Sequence, residues 1–325
     1  MKTLVTGGAG YIGSHVVYEL IRDGHEVIVL DNLSTGNRKA IHKNAKFYEG
    51  DQRDLDLLNK IFTQNKVDVV MHFSAKLIVP ESVKKPIEYF ENNVHGLAIL
   101  LEAMKNNEVK NIIFSSTAAV YGEPKRTPIK EGDTKEPVNP YGTSKLACEW
   151  LIQGSSKAFD MNYVIFRYFN VAGADASGEI GQSTKGRELT HIIPVVIETG
   201  TGIRKIMNIF GDNYKTKDGT CVRDYIHVTD LARAHILGAK HVLKGKSGIF
   251  NLGSKKGYSV KEVVSETEKI LSKTIPHDIV EKREGDPAIL IASTDHSKKE
   301  LGFEINKNLK EIIQSDLEWR INKKF

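Results

Sequence analysis

The sequence predicts an α/β protein, a doubly wound parallel sheet followed by a smaller C-terminal α/β lobe. Three observations predict it. Short, near-continuous apolar runs alternate with helically spaced segments over residues 1–169. A glycine-rich stretch joins the first apolar run to the first helical segment. From residue 170 onward, long polar loops separate shorter elements. Strands covered on both faces read as continuous apolar runs, and repeated β-α-β order makes them parallel.

Strands are expected at 2–6, 26–30, 46–50, 67–73, 111–116 and 162–169, with helices at 13–23, 55–62, 92–105 and 141–157. The polar loops at 173–187 and 211–219 have the length of functional loops. Ser259 and Glu262 form a capping box that starts a helix over 260–271, and the last helix begins near Leu309. One domain is expected over 1–169 and a second lobe over 170–325, with the segment 225–240 packing back on the first domain.

Composition narrows the function. The chain has 325 residues, 40% hydrophobic and 27% charged, which suits a folded protein and excludes general disorder. Its net charge of +5 is spread out, with no basic block of five or more, so no nucleic-acid partner is expected. Cys148 and Cys221 sit in neither a CxxC nor a Cys/His metal spacing, so no metal site and a reducing compartment are expected. The N-terminal apolar run is too short for a signal peptide, and no run approaches the ~18 apolar residues of a membrane span. A cytoplasmic protein without a membrane partner is the expectation.

Gly7-Gly8-Ala9-Gly10-Tyr11-Ile12-Gly13 lies between the first strand and the first helix. Missing side chains there let the backbone turn sharply and approach a pyrophosphate, and the helix N-terminus supplies N–H groups and partial positive charge. An ordinary tight turn is the alternative, but the strand before and the helix after are the context a Rossmann-type dinucleotide site requires. Gly7, Gly10, Tyr11, Ile12 and Gly13 are its candidate contacts. Asp31 ends the second strand, where an acidic residue grips ribose hydroxyls and repels a 2′-phosphate, so NAD is favoured over NADP. Arg38 argues the other way, and Asp31 outweighs it. Asn32 and Ser34 extend the contact. Asp51 with Gln52 and Phe73 with Ser74 end the next two strands and point at the same crevice, and Asn92 and Phe169 are counted with them. Core packing is the alternative for Phe73.

Pro140-Tyr141-Gly142-Thr143-Ser144-Lys145 contains Tyr-x-x-x-Lys at a helix start, a spacing that stacks both side chains on one helix face. An ammonium there favours the tyrosinate and is expected to lower the phenol toward neutrality, so that it can take a hydroxyl proton while hydride leaves the same carbon. A surface Tyr and Lys are the alternative, which the glycine loop in the same domain disfavours. Ser115-Ser116-Thr117 ends the fifth strand and faces the same crevice.

These residues together resemble the extended short-chain dehydrogenase/reductase family over essentially the whole chain. By family position Thr117 is the hydroxyl partner of Tyr141. Related dehydratases carry an Asp-Glu pair after the Ser/Thr, because water elimination needs its own acid and base. Here Ala118 and Ala119 stand there, which leaves hydride and one proton to move. The runs 6–15, 31–33, 92–94, 167–173, 222–228 and 283–286 resemble the UDP-glucose 4-epimerase branch. That resemblance implies a UDP-hexose substrate held by Asn170, Arg223, Arg283 and Asp286, with Thr117 and Tyr141 at the sugar, tightly held NAD on domain 1–169, and a homodimer. For Arg223 a surface ion pair with Asp224 is the alternative. It also implies that Leu290, where related enzymes carry a tyrosine, opens the pocket to an N-acetyl group. Strand packing is the alternative for Leu290. Lys76 and His191 depart from the family pattern, which leaves their roles open. Another nucleotide-sugar 4-epimerase (uronic acid or pentose), an NADP-dependent reductase and a non-catalytic NAD sensor are the competing functions; the intact Thr117–Tyr141–Lys145 set speaks against the sensor.

Overall fold

In the computed structural model, residues 1–183, 189–283, 286–322 and 324–325 are described. The far end of the 173–187 loop, and Glu284 and Gly285 of the 283–286 run, lie outside them.

The apolar alternation of the first half becomes β1 (Lys2–Thr6), α1 (Tyr11–Arg22), β2 (Glu26–Asp31), β3 (Lys46–Glu49), α2 (Leu55–Gln64) and β4 (Val69–His72). Then come α3 (Val79–Lys84), α4 (Pro86–Phe90), a π turn (Glu91–His95), α5 (Gly96–Asn106), β5 (Asn111–Thr117), α6 (Pro140–Phe159) and β6 (Asn162–Tyr168). The later residues form β7 (Asn170–Ala172), α7 (Ile192–Gly200), β8 (Met207–Phe210), β9 (Val222–His227), α8 (Val228–Val242) and β10 (Gly248–Leu252). The chain continues through β11 (Gly257–Ser259), α9 (Val260–Leu271), β12 (His277–Val280), β13 (Ile289–Leu290), α10 (Asp295–Leu301) and α11 (Leu309–Asn322).

Seven parallel strands form the main sheet in the order β10-β6-β5-β4-β1-β2-β3. Alternate residues divide between its faces, as the period of two requires. Val5, Val29, Met71, Ile113 and Phe166 pack with Val16, Val17 and Leu20 of α1 and with Leu231 and Ala232 of α8. Leu4, Ile28, Val70, Ile112 and Ile165 pack with Leu58 of α2, Leu97 and Leu100 of α5 and Ile152 of α6 on the other side. The order reverses between β1 and β4, so the carboxyl ends of those strands open a crevice there.

Strand β10 was not among the expected strands, although it completes the sheet beside β6. Its run Gly248-Ile249-Phe250-Asn251-Leu252 carries a fully buried Asn251, which breaks the apolar pattern. Asn251 is satisfied by Tyr121 Oη donating at 2.6 Å and by its own amide donating to Ile129 O at 2.9 Å.

The smaller lobe holds β11, β9 and β13, with β7 paired to β9, and a separate β12–β8 pair. Its core joins Ile193, Val196 and Ile197 of α7 to Val263 and Val264 of α9 and Ile312 and Ile313 of α11. The capping box forms as expected: Ser259 Oγ accepts from Glu262 N at 3.0 Å, and Glu262 Oε2 accepts from Ser259 N at 2.8 Å.

Candidate active site

The glycine loop follows β1 directly. Gly7 has φ +74°, and a Cβ there would lie 2.7 Å from the Ser74 amide nitrogen, so the chain after β4 crosses too closely for any side chain. A Cβ on Gly13 would lie 2.2 Å from Gly7 O, which is why the first turn of α1 can sit on the loop. Gly10 caps α1 without a side-chain bond, leaving its first N–H groups facing the crevice.

Asp31, at the end of β2, is buried and fixed by the loop it faces. Its Oδ2 accepts from Ala9 N at 3.0 Å and its Oδ1 from Leu33 N at 2.8 Å. Arg38 is paired with Glu49, and its guanidinium lies 4.9 Å from the Phe47 ring centroid. Asn32 donates to Asp51 at 3.0 Å, and hydrogen bonds from Arg53 hold the Asp51 carboxyl down to about 2. Ser34 N donates to Asn32 Oδ1 at 3.0 Å. Gln52 donates to Asn92 O at 2.6 Å, while its buried Oε1 has no partner among the described residues. The Phe73 ring centroid lies 4.8 Å from that of His235, on the α1 and α8 face of the sheet. Lys76 is engaged by Glu88 at 2.6 Å. A cradle that a Cβ would fill, a fixed carboxylate and an orphaned buried amide oxygen fit a dinucleotide.

Helix α6 starts under an Asn139 cap, whose side chain accepts from Gly142 N at 2.9 Å, with Pro140 in the first turn. This places Tyr141 and Lys145 one turn apart beside the end of β5. The Thr117 hydroxyl, which accepts from Ala119 N at 3.1 Å, lies beside the Tyr141 phenol. Burial pushes that phenol up to about 12, with Thr117 opposing the shift. The expected lowering by Lys145 is therefore corrected for this arrangement. The Lys145 ammonium donates to Ser115 O at 2.8 Å and lies 4.8 Å from the Phe114 ring centroid. Burial pushes it down to about 8, against the raising charges of Cys148 and Glu149. Desolvation outweighs pairing at both groups.

The smaller lobe brings its own set together. Asn170, on β7, pairs in register with Tyr225 of β9 and lies close enough to act on its phenol. Arg223 donates to Asp286 at 2.7 Å and to the Val222 and Pro287 carbonyls at 2.9 and 2.8 Å. Its partner is thus Asp286; Asp224, the neighbour considered from sequence, accepts instead from Ser254 and Ala292 N. Arg283 stacks on Phe210, guanidinium carbon 3.9 Å from the ring centroid. Tyr214 lies within the influence of Asp286, Arg223 and Arg283, and His191, at the head of α7, within that of Arg283. Leu290 pairs with Arg223 across β13 and β9 and packs against the cluster of Ala118, Tyr121, Leu146 and Phe169.

Phe210 and Tyr214 escaped the sequence reading. An aromatic ending a strand before Gly211 is the only local signal, and it is shared by many cores. Tyr168 also escaped it, although its hydroxyl bonds Ser115 Oγ beside the Tyr–Lys pair. Both cysteines are free thiols, and no metal-binding cluster occurs among the described residues. No described helix is long and apolar enough to cross a membrane.

The model of the NAD dependent epimerase/dehydratase family matches residues 3–253. A protein of Halalkalibacterium halodurans named UDP-glucose 4-epimerase is 51% identical over 305 residues, 94% of this chain and 90% of its own. One of the same name from Lacticaseibacillus casei is 48% identical over 324 residues, 99% of this chain and 97% of its own. The crystal structure of UDP-glucose 4-epimerase from Bifidobacterium longum in complex with NAD+ and UDP superposes with a TM-score of 0.93 at 40% identity, covering 99% of each chain. The chain belongs to the NAD dependent epimerase/dehydratase family.

Proposed function

We propose that the chain interconverts UDP-galactose and UDP-glucose, inverting C4 by transient oxidation with NAD that stays bound. The observation that carries this is the Thr117–Tyr141–Lys145 set at the mouth of the glycine-loop crevice, with Ala118 and Ala119 where elimination chemistry would need an acid and a base. When bound, NAD would supply a reversible hydride acceptor, and its positive ring would favour the Tyr141 phenolate.

The residues divide the remaining work. Tyr141 takes the proton of the 4-hydroxyl and later returns it, while Thr117 holds the reacting oxygen through its hydroxyl. Lys145 adds positive charge beneath the phenol. Gly7, Gly10, Tyr11, Ile12 and Gly13 form the pyrophosphate cradle, with Asp31, Asn32 and Ser34 at the adenosine ribose. Asp51, Gln52, Phe73, Ser74, Asn92 and Phe169 line the rest of that crevice. Asp31 supports NAD over NADP, because its carboxylate, buried and fixed by Ala9 N and Leu33 N, would repel a 2′-phosphate.

On the smaller lobe, Asn170, Arg223, Arg283 and Asp286 hold UDP. Guanidinium forks suit a diphosphate, and the Arg283–Phe210 stack suits a flat base. Tight UDP and a loosely held sugar would let a 4-keto sugar turn over in the pocket and present its other face. Leu290 leaves room beside C2, so UDP-N-acetylgalactosamine is a second substrate. In this reading residues 1–169 are mainly the NAD domain and 170–325 mainly the sugar-nucleotide lobe, in a cytoplasmic homodimer. Exposed Val83, Ile87 and Trp150 on the mutually packed α3, α4 and α6 support the dimer.

The test is UDP-galactose as sole substrate, with no dinucleotide added. UDP-glucose should accumulate to equilibrium. Absence of product, or stoichiometric need for NADPH, would favour the reductase.

A further inference from the structure

Tyr141, Lys145 and Glu149 follow one another at intervals of four residues along α6, so their side chains share one face of the helix. Glu149 is fully buried, and so is Arg167 opposite it on β6. The Glu149 carboxylate accepts four hydrogen bonds from three donor atoms. Oε1 takes Ser116 Oγ at 2.5 Å and Arg167 Nε at 2.9 Å. Oε2 takes Arg167 Nη2 at 2.5 Å and a longer bond from Nε at 3.2 Å.

Arg167 is itself engaged at each of its three nitrogens. Its Nη1 donates to Tyr121 Oη and to Glu131 O, both at 3.0 Å. Ser116 and Arg167 are paired residues on adjacent strands. Glu149 therefore ties together α6, which carries Tyr141 and Lys145, with the last residues of β5, which carry Thr117.

We propose that Glu149 is a positioning residue of the reaction: its carboxylate, through Ser116 and Arg167, fixes Thr117 against Tyr141 and sets a negative charge one helical turn from Lys145. This rests on the function proposed above. An apolar side chain would pack at this depth with less desolvation cost, so a buried ion pair is weak as a stability device and points to a role in geometry.

The charge environment of Lys145 carries the second half. From β5 it meets Ser115 O and the Phe114 ring. From β4 it faces His72, which burial and then the Lys145 charge push down to about 3, leaving it neutral. On its own helix it faces Cys148, which burial pushes up to about 12, and Glu149. The Cys148 thiol donates to Asn93 O on the π turn at 3.3 Å. Tyr141 above it is a neutral phenol in this arrangement. Glu149 is thus the one carboxylate acting on Lys145 among the described residues.

The test compares wild type, Glu149→Gln, Ser116→Ala and the charge-balanced Glu149→Gln/Arg167→Met on UDP-galactose across pH 6–10. Glu149→Gln should lose about 10- to 100-fold in kcat with KM changed less than about threefold. Its alkaline limb should move down by about one pH unit, as expected for removal of a nearby negative charge. Ser116→Ala, which keeps the ion pair, should lose about three- to tenfold in kcat with the alkaline limb unmoved. Folded variants with wild-type kcat and pH limb would overturn the proposal. Should Glu149→Gln fail to fold, the double variant decides on the same readouts; should that fail too, wild-type kcat in Ser116→Ala overturns it. An inactive wild type would instead sink the function proposed above.

Discussion

Two arginine–carboxylate pairs flank the reaction site, and they are built differently. Arg167 and Glu149 have side chains 2% and 0% exposed, and each hydrogen bond they make is to another part of the same domain. Arg223 and Asp286 are 10% and 31% exposed, and the carboxylate end is open to solvent. A closed pair can only hold a frame. An open pair can trade a partner for a ligand, because the guanidinium loses little when a phosphate replaces a carboxylate. In the proposed reading, the sheet domain sets where the chemistry happens, and the smaller lobe presents charge that a substrate can take up.

The largest effect is expected where the frame meets the chemistry. Tyr141→Phe should lose about 10³- to 10⁴-fold in kcat, since the proton acceptor is gone, while the thermal midpoint and bound NAD stay near wild type. Turnover within tenfold of wild type would mean another group takes the proton.

A matched pair of variants separates the two ion pairs. Arg167→Leu leaves a buried carboxylate without its guanidinium and should cost about 3–5 kcal/mol of stability in denaturant titrations. Arg223→Leu should leave stability within about 1 kcal/mol and raise KM for UDP-galactose by about 30- to 100-fold, with NAD content unchanged. If the two variants behaved alike, the contrast between closed and open pairs would fail.

A third expectation sharpens the frame's neutrality. His15, His72, His227 and His235 are buried, and desolvation lowers them to about 4, 3, 4 and 4. The unfolded chain takes up these protons near pH 6.5 and the folded chain only below about 4, so their contribution is present above 6.5 and is lost as pH falls. Each can contribute a slope of up to about 1.4 kcal/mol per pH unit in that window. Asp224 opposes them, because burial lifts its carboxyl to about 6. Burial also lowers His25, His42, His191 and His241 and raises Asp230 and Asp316, so eight histidines against three carboxyls make the chain less stable at pH 5 than at pH 7 in urea titrations. Equal midpoints and slopes at the two pH values would contradict this.

The smallest effect is a change of preference. Leu290→Tyr should abolish turnover of UDP-N-acetylgalactosamine and keep UDP-galactose activity within about threefold, because the new ring enters only the space beside C2. Retained N-acetyl activity would move that wall elsewhere.

How much of this was readable before folding follows the same division. In the sheet domain, strand, turn and helix are contiguous in sequence, so the glycine loop, Asp31 and Tyr141–Lys145 announce themselves by local spacing. In the smaller lobe, Asn170, Phe210, Arg223, Arg283 and Leu290 come from five separate segments, and only the resemblance brought four of them together. The partners of buried charges were beyond spacing altogether. Nothing local says that Lys145 turns to Ser115 O or that Glu149 meets Arg167. The fully buried Asn251 hid β10 for the same reason, since its partners Tyr121 and Ile129 are over 100 residues away.

The central claim is that one carbon is oxidised and re-reduced with the same hydride. UDP-galactose carrying deuterium at C4, incubated with the enzyme in ordinary water and without added dinucleotide, tests it most directly. Mass spectrometry of the product should find UDP-glucose with the deuterium still on the sugar at C4. Loss of the label to water would contradict the account, since it would mean that C4 is inverted by proton exchange at carbon.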